Sequence, residues 1–586
     1  MIFLRSTVLA IAACTILGSM AAAQASVGAA GGALARVDSA RVLRSARAAQ
    51  AAFERVRYRN FPWTESYRGG SGACDEQVGR FCIWHDDTER DWEPPPERDA
   101  VKRERAGLIA ALDSAAAASP GDAWIAGQRV RYLVEAGRQA EAARATDACR
   151  AERWWCLALR GYAQHFAGDY VTAAGTFAAA VEAMPPAERR AWEDLAPAVT
   201  DEDARALRRM DPASRAAAIR RLWWLADPFW MQPGNDRLTE HYARLVADRF
   251  QDRARTSEGL AWADDLREIL VRWGQPSGWE RIRPRTGQTM DGGMVTHYAP
   301  SFEFIPTLAM ARDPFAIRAP EWKTEEKGAH SAYAPPGVRR LAPLPHQLAA
   351  FRRDGRAEVV AAFAMQPDSL PAHPALDAGV VLMGDVDAPP VAQTARVSGT
   401  RGVLRLRAEP TQAVVSIEAR EPISRRAARG RFGVDLRRLG EAGLSISDVL
   451  LLDRADARPA SLDEAAPLAR GATDFVPGDR IALYWEVYGV RGGADSVTFS
   501  VALARRPPGA ARRAAESLGL ARAATPVRMR WVEEPPATEV LARSLAIALP
   551  RVSPGDYVLE VAVRTRSGAT AFTRRELTVR RANQAP

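Results

Sequence analysis

The chain is 586 residues long, 47% hydrophobic and 26% charged, a composition of folded globular domains rather than of disordered or fibrous chains. At about 100–200 residues per domain the length provides for three to five folded units. The formal net charge of +9 is dilute over this length and no basic run concentrates it, so nucleic acid is not an expected partner. Lysine occurs only at Lys102, Lys323 and Lys327, leaving 77 of the 80 basic residues as arginine; beside so much alanine, this reads as composition bias.

Residues 1–25 read as a secretory signal peptide. Arg5 supplies the early positive charge, Val8 to Leu17 the apolar core and Ala23-Gln24-Ala25 the small-residue cleavage site, so the mature chain is expected from near Ser26. A second reading is lipoprotein processing, with Ile11-Ala12-Ala13-Cys14 as the lipobox and Cys14 as the anchor. No later stretch approaches the ~18 consecutive apolar residues of a membrane helix. The expected location is therefore periplasmic or extracellular, with no transmembrane segment in the mature chain.

Beyond the leader the cysteines are Cys74, Cys82, Cys149 and Cys156, an even number in an exported chain, for which pairing is the default. Of the possible connectivities the local one is favoured: Cys74 and Cys82 bracket a segment in which Gly79 supplies a turn, and Cys149 and Cys156 bracket a joint between helices. The competing reading is a metal site from Cys74, Cys82 and His85 beside Asp86 and Asp87; an oxidising compartment favours the disulfides, and no metal or cofactor is expected.

After an N-terminal segment over 26–98, residues 99–200 are alanine-rich with helical periodicity. Gly161, Ala163, Gly168-Asp169-Tyr170, Ala173, Phe177, Ala180 and Pro185 resemble the packing residues of a tetratricopeptide helix pair, and Gly137, Ala142 and Cys149 repeat Gly168, Ala173 and Ala180 at a period of 31. The small residues let helices approach closely and Phe177 fills the gap between them.

Residues 201–283 read as helices followed by a strand. Leu222, Leu225, Trp230, Tyr242, Leu245, Val246 and Phe250 suit buried helical faces, and the alternation of Ile269, Val271 and Trp273 predicts a strand ending at Gly274-Gln275-Pro276. From Phe229-Trp230 through His241-Tyr242 and Arg249-Phe250 to Trp273-Gly274-Gln275-Pro276, this stretch resembles the GWxTD domain of exported bacterial proteins. Trp262 and Asp265 match the signature, while Ala261 replaces its glycine and Asp264 its threonine. The resemblance implies export and a following β region, and no activity. With aspartate at 264 a threonine nucleophile is absent; Trp262 reads as core and Asp264-Asp265 as a turn-former rather than an acid–base pair.

Residues 284–348 read as a connector wrapped on its neighbours, with one short strand around Phe302, Phe304 and Ile305. From Gln347 the pattern becomes short alternating strands, with candidates over 358–365, 379–383, 403–408, 413–418, 431–436 and 449–452 and then over 480–487, 496–504, 527–532, 544–549, 556–565 and 571–579, which predict two antiparallel β-sandwiches over 349–460 and 461–582 and a tail over 583–586. The last hairpin, entered at Pro554-Gly555-Asp556 and turned at Ser567-Gly568, resembles the closing hairpin of immunoglobulin-like modules. The fold class is thus multidomain α+β: a helical repeat-like region, an α+β GWxTD-like unit and all-β immunoglobulin-like sandwiches.

Catalytic signatures are missing. There is no Gly-x-Ser-x-Gly elbow, His-Glu-x-x-His, Cys-x-x-Cys, phosphate-binding loop or EF-hand. The histidines, at 85, 165, 241, 297, 330, 346 and 373, lack metal-ligand spacing; His165 and His241 read as structural helix residues, and His297, His330 and His346 fall in or beside the connector. The run Trp84 to Glu93 is the best local candidate for ligand binding, read first as a solvated loop. No catalytic residue is assigned. The expectation is a non-enzymatic protein-interaction scaffold of the cell envelope with an unidentified protein partner; the alternatives are a hydrolase or lyase acting on envelope polysaccharide or peptide, and a structural component of an exported assembly.

Overall fold

A computed structural model describes residues 38–65, 74–83, 92–283, 293–322, 328–366, 370–440, 442–490, 496–506, 527–536, 538–549 and 552–581. The expected leader with Cys14, the tail and residues 84–91 of the acidic run, with His85, lie outside them.

In chain order a helix over 38–59 (α1) precedes a short strand β1 (Trp63–Thr64) and the hairpin β2 (Glu76–Val78) and β3 (Phe81–Ile83). Helices follow: α2 (Asp99–Ala118), α3 (Ala123–Glu135), α4 (Gln139–Asp147), α5 (Arg153–Phe166), α6 (Tyr170–Ala183), α7 (Pro186–Glu193), α8 (Asp201–Arg209), α9 (Pro212–Ala226), α10 (Asp236–Phe250) and α11 (Asp264–Trp273). Next come β4 (Gly278–Ile282), β5 (Met294–His297), β6 (Phe302–Glu303), the single turn α12 (Leu308–Arg312), β7 (Ala332–Tyr333) and β8 (Arg340–Pro343). The longer strands are β9 (His346–Arg353), β10 (Arg356–Ala364), β11 (Ala375–Met383), β12 (Val391–Ser398), β13 (Arg401–Ala408), β14 (Gln412–Glu421) and β15 (Arg426–Asp435). Then follow β16 (Ser445–Ile446), β17 (Leu450–Leu452), α13 (Leu462–Ala465), β18 (Asp474–Phe475), β19 (Arg480–Tyr488), β20 (Val497–Arg505), β21 (Val527–Glu533), β22 (Val540–Ala548), β23 (Gly555–Thr565) and β24 (Thr570–Val579).

The chain divides into two compact units, Met1–Ala198 with Gly234–Ala299, and Val199–Pro233 with Pro300–Pro586. The division falls inside the 201–283 segment. The architecture is α+β, with helices in the first half and antiparallel sheets in the second.

In the first unit, side-chain caps start several helices: Asp122 accepts from Ile125 N on α3, Asp169 from Thr172 N on α6 and Asn235 from Leu238 N on α10. The Phe177 ring of α6 lies 2.8 Å from where a Cβ at Gly161 of α5 would stand, so glycine there sets how closely the two helices approach. One apolar core runs through Leu112, Ile125, Leu159, Tyr162, Phe177, Val246, Phe250 and Val271. Phe250 meets the rings of Tyr162 and Trp155 edge-on at 5.0 and 6.1 Å, and Tyr242 stacks on Phe177 at 5.3 Å. The aromatic residues of α10 therefore complete the core of the helices that precede it. The strand expected over Ile269 to Trp273 is instead the last turns of α11: Leu266, Ile269, Leu270 and Trp273 recur at helical spacing, and two aspartates occupy its first turn, where the helix dipole favours them. Cys74 with Cys82 and Cys149 with Cys156 stand at disulfide distance, with Cα–Cα separations of 5.3 and 5.8 Å.

The second unit carries two stacked-sheet layers. A three-stranded sheet, β13-β10-β9, faces a five-stranded one, β12-β11-β14-β15-β8, across a core that includes Val359, Phe363, Val380, Leu404 and Ile417. β19, flanked by β16, β17 and β22, faces β18-β24-β23-β20-β21 across Trp485, Phe499, Val501, Leu559 and Val561. The two sandwiches also meet each other, because Ala349, Phe351, Val360 and Ala362 pack on Leu450, Leu452, Ala482 and Tyr484. Strands β9, β10 and β19 are consequently buried on both faces. At this joint the buried Glu486 receives Arg353 bidentately at 2.6 Å, Tyr484 Oη at 2.5 Å and Tyr488 Oη at 2.8 Å.

The connector carries more structure than one strand. β6, α12, β7 and β8 lie within it, and Gly433 N of β15 donates to Ile317 O, which straps it over the outer face of the five-stranded sheet. The end of α9 covers the same face, where Glu418 of β14 and Arg431 of β15 are fully buried. Glu418 accepts from Arg431 Nη2 at 3.3 Å, Ser416 Oγ at 2.5 Å and the backbone N–H groups of Trp230 and Met231, both at 3.0 Å. Arg431 donates onward to the carbonyls of Leu225 and Asp227 at 2.8 Å and lies over the Trp230 ring. Removing one partner of such a pair strands the other charge out of water. Glu418→Ala is expected to lower the unfolding free energy of this unit by about 3–5 kcal/mol, read from its denaturant midpoint; a loss no larger than that of an exposed pair contradicts the assignment.

Candidate functional site

The signature residues sit where α11 meets the β2–β3 hairpin. Trp262 is half-buried and donates Nε1–H to Asp248 of α10 at 2.8 Å. Asp264 is exposed at the start of α11. Asp265, next to it, is enclosed: Arg80 of the hairpin turn donates Nε–H and Nη2–H to its two oxygens at 2.6 and 2.9 Å, with Leu266 N adding a third bond at 2.8 Å. These donors hold the Asp265 carboxyl well below the usual range. Arg80 also donates to Ala261 O at 3.2 Å. Gly79 makes the turn at φ +52°, and a Cβ there would stand 2.6 Å from Asp265 Cβ. Farther along α11, Arg272 bridges Glu76 of β2 at 2.6 Å and Glu268 at 3.0 Å. The disulfide-distance hairpin is thus clamped to α11 at two points, and Asp264 and Asp265 do not share a ligand-facing site.

A buried polar network lies elsewhere in this unit. Glu54 of α1, fully enclosed, accepts from Tyr132 Oη at 2.6 Å and Ser257 Oγ at 3.1 Å, with Arg57 and Arg131 at 3.5 and 3.7 Å. Glu135 pairs with Arg57 and with Arg131. Burial alone raises a carboxyl, yet these two guanidiniums hold Glu135 down to about 2. Gln50 joins α1 to Tyr132 Oη and Arg255 O, both at 2.9 Å. Nearby, Glu258 takes Trp279 Nε1–H at 2.9 Å and is raised by burial.

α10 supplies a third arrangement. Arg244 donates Nη1–H to the carbonyls of Val271 and Arg272 at 3.0 and 2.9 Å, satisfying the C-terminal end of α11. Gly274 follows at φ +88°, where a Cβ would stand 2.9 Å from Arg244 Nη2, so both backbone sign and space require glycine. Arg244 Nε–H meets Glu240 at 2.7 Å, whose other oxygen lies 2.9 Å from His165 Nε2; His165 Nδ1 lies 2.9 Å from Thr239 Oγ1. Against the burial that raises it, Arg244 and His165 hold Glu240 down to about 2. Burial first, then Arg237 and Arg244, press His241 down to about 3.

Two further histidines are similarly engaged: His297 stacks on Trp92 at 3.9 Å with Nε2 3.1 Å from Glu280, and His346 stacks on Phe432 and lies 2.6 Å from Leu344 O. Among the described residues no group of His, Cys, Asp and Glu is placed to hold a metal ion, and no helix is long and apolar enough to cross a membrane. The network of Glu54, Arg57, Arg131 and Glu135 is not legible in the sequence. Its one local trace is α3, where Arg131 and Glu135 interrupt an otherwise apolar face.

No family model and no curated protein matches the chain. Among solved structures, red sea bream transglutaminase aligns over 55% of this chain and 44% of its own at 11% identity and a TM-score of 0.12. The D0–D1 domain of intimin aligns over 40% of this chain and 97% of its own at 16% identity and a TM-score of 0.17. The chain spans less than half of the transglutaminase.

Asp265→Ala is expected to speed amide exchange across residues 74–83 while changing overall stability by no more than about 1 kcal/mol, since the Arg80 side of the clamp is solvated; unchanged exchange there means the clamp does not hold the hairpin. Acid has a signed effect on the helical unit. Between 6.5 and about 3 an unfolded His241 binds a proton that the folded one does not, and Glu240 and Glu135 add the same imbalance between 4.5 and about 2. Stability therefore falls as pH drops from 6.5, by up to ~1.4 kcal/mol per pH unit per group, and His241→Gln flattens the part between 6.5 and 4.5, as measured by urea midpoints against pH.

Proposed function

We propose that the protein is an exported, non-enzymatic interaction scaffold of the cell envelope, in which tetratricopeptide-like helices and a GWxTD-like segment bind a protein partner and immunoglobulin-like sandwiches act as spacer and dock. The single observation that supports this most is the state of Asp265. The one acidic residue of the signature accepts from Arg80 Nε, Nη2 and backbone N and from Leu266 N, a structural use that occupies both oxygens and disfavours a role as base or nucleophile. Export is supported by the two cysteine pairs at disulfide distance. At the corner between α5 and α6, Phe166 and Val171 are 39% and 59% exposed, which gives the helices an apolar contact point of the kind a partner covers.

A hydrolase reading has one residue in its favour, Glu258, whose carboxyl is raised by burial as a general acid requires; its bond to Trp279 serves packing equally well. The test is capture from an envelope extract by the unchanged mature protein and by Phe166→Ser with Val171→Ser. A specific partner is expected on the first and lost, at least tenfold, on the second, with no turnover of envelope glycan or peptide by either. Absence of any specific partner, or turnover abolished by Glu258→Gln, overturns the scaffold reading.

A further inference from the structure

On the outer face of the five-stranded sheet two guanidiniums lie side by side, Arg429 and Arg431 of β15, both buried. They are unequally provided for. Glu418 is opposite Arg429 in the strand register, yet its oxygens are taken by Arg431, Ser416 Oγ and the N–H groups of Trp230 and Met231. Arg429 is left with carbonyls: Nη1 donates to Pro228 O at 2.9 Å and, more weakly, to Asp227 O at 3.4 Å. Its Nη2 is buried with no acceptor, and Arg429 as a whole is only 6% exposed. The Asp227 carboxylate, which acts on Arg429 electrostatically, accepts from Phe229 N. The guanidinium is held between the rings of Phe304 and Trp322 at 5.2 and 5.3 Å, and Trp322 Nε1 is a second buried donor with no acceptor.

A buried donor without an acceptor is costly, and a guanidinium whose hydrogen bonds go only to neutral carbonyls more so. Burial and the neighbouring Arg431 push the Arg429 guanidinium well below its ordinary pKa, the direction an added negative charge would reverse. We propose that Arg429 and Trp322 form the binding site of a small monoanion, a halide or a single carboxylate group, which accepts from Arg429 Nη2 with Trp322 Nε1 as its second donor. The class follows from the donors: among the described residues Arg429 hydrogen-bonds only carbonyls, burial and Arg431 outweigh the pull of Glu418 and Asp227 on it, and its Nη2 and Trp322 Nε1 are N–H groups suited to a compact anionic acceptor beside the Phe304 and Trp322 rings. Bound there, the anion ties the strap and the end of α9 to the sheet.

The test uses the full chain at constant ionic strength, with sodium gluconate, a bulkier anion, replaced stepwise by sodium chloride or by sodium acetate. A ligand that binds only the folded state raises its melting temperature saturably, by roughly 5 °C at ~100-fold above its dissociation constant. The rise is expected with chloride, with acetate or with both, which separates a halide site from a carboxylate site. Arg429→Met abolishes it, and Trp322→Phe, which keeps the ring and deletes only the N–H, weakens binding about tenfold; this second variant keeps the test decisive should the first fail to fold. Crystals soaked in bromide give a direct readout, an anomalous peak beside Arg429. Identical melting in all three salts, or a rise undiminished in both variants, overturns the proposal.

Discussion

A carboxylate taken out of water costs several kcal/mol unless donors replace its hydration, and each unit of this protein is organised around carboxylates so enclosed. In the helical unit Glu54 and Glu135 draw together α1, α3 and the 255–258 loop. In the β unit Glu418 fastens the end of α9 to the five-stranded sheet, and Glu486 fastens one sandwich to the other. Each of these carboxylates has an arginine beside it. Composition accounts for how many arginines the chain has, but not for Arg57, Arg131, Arg244 and Arg431 being buried at these junctions. A planar guanidinium reaches two acceptors at once in fixed geometry, which suits junctions where one side chain must meet a carboxylate and a helix-end carbonyl together, as Arg244 and Arg431 do.

The joint between the sandwiches shows the same constraint acting on strands. A sheet buried on both faces has no polar face to give it alternation, so β9, with the sequence HQLAAFRR, carries neither period-2 patterning nor β-branched residues and was absent from the strands read in the sequence. β12 was missed for the opposite reason, since almost every residue of this edge strand is exposed and neither face selects apolar side chains. The strands with one apolar and one polar face, such as β20 and β23, emerged within a residue or two of their observed ends, because there the pattern and the burial carry the same information.

What the sequence could show of the candidate site follows the same line. Cysteine pairing was legible because each partner is seven or eight residues away. The Arg80–Asp265 clamp spans 185 positions and Tyr132–Glu54 spans 78, and no local pattern encodes a partner at that distance. The error at α11 had a local cause. A ten-residue segment with apolar residues at 266, 269, 270, 271 and 273 satisfies both periods over its second half, and the deciding signal was the paired aspartates at its start.

Those aspartates also account for the departures from the signature that the segment resembles. Position 261 contributes its backbone carbonyl to Arg80, so alanine serves as well as glycine provided the local backbone is accessible to both. Position 264 opens α11 with an exposed side chain, where an acidic residue faces the positive end of the helix and threonine offers no advantage. Position 265 is different in kind. Its carboxylate meets a guanidinium with both oxygens and sits against a glycine whose missing Cβ makes the approach possible, so neither asparagine nor glutamate reproduces both the charge and the reach. The two positions that keep the residue of the signature it resembles, 262 and 265, are those whose side chains bond to other elements, Asp248 of α10 and Arg80 of the hairpin, and the positions at which it departs are those where backbone or helix position does the task.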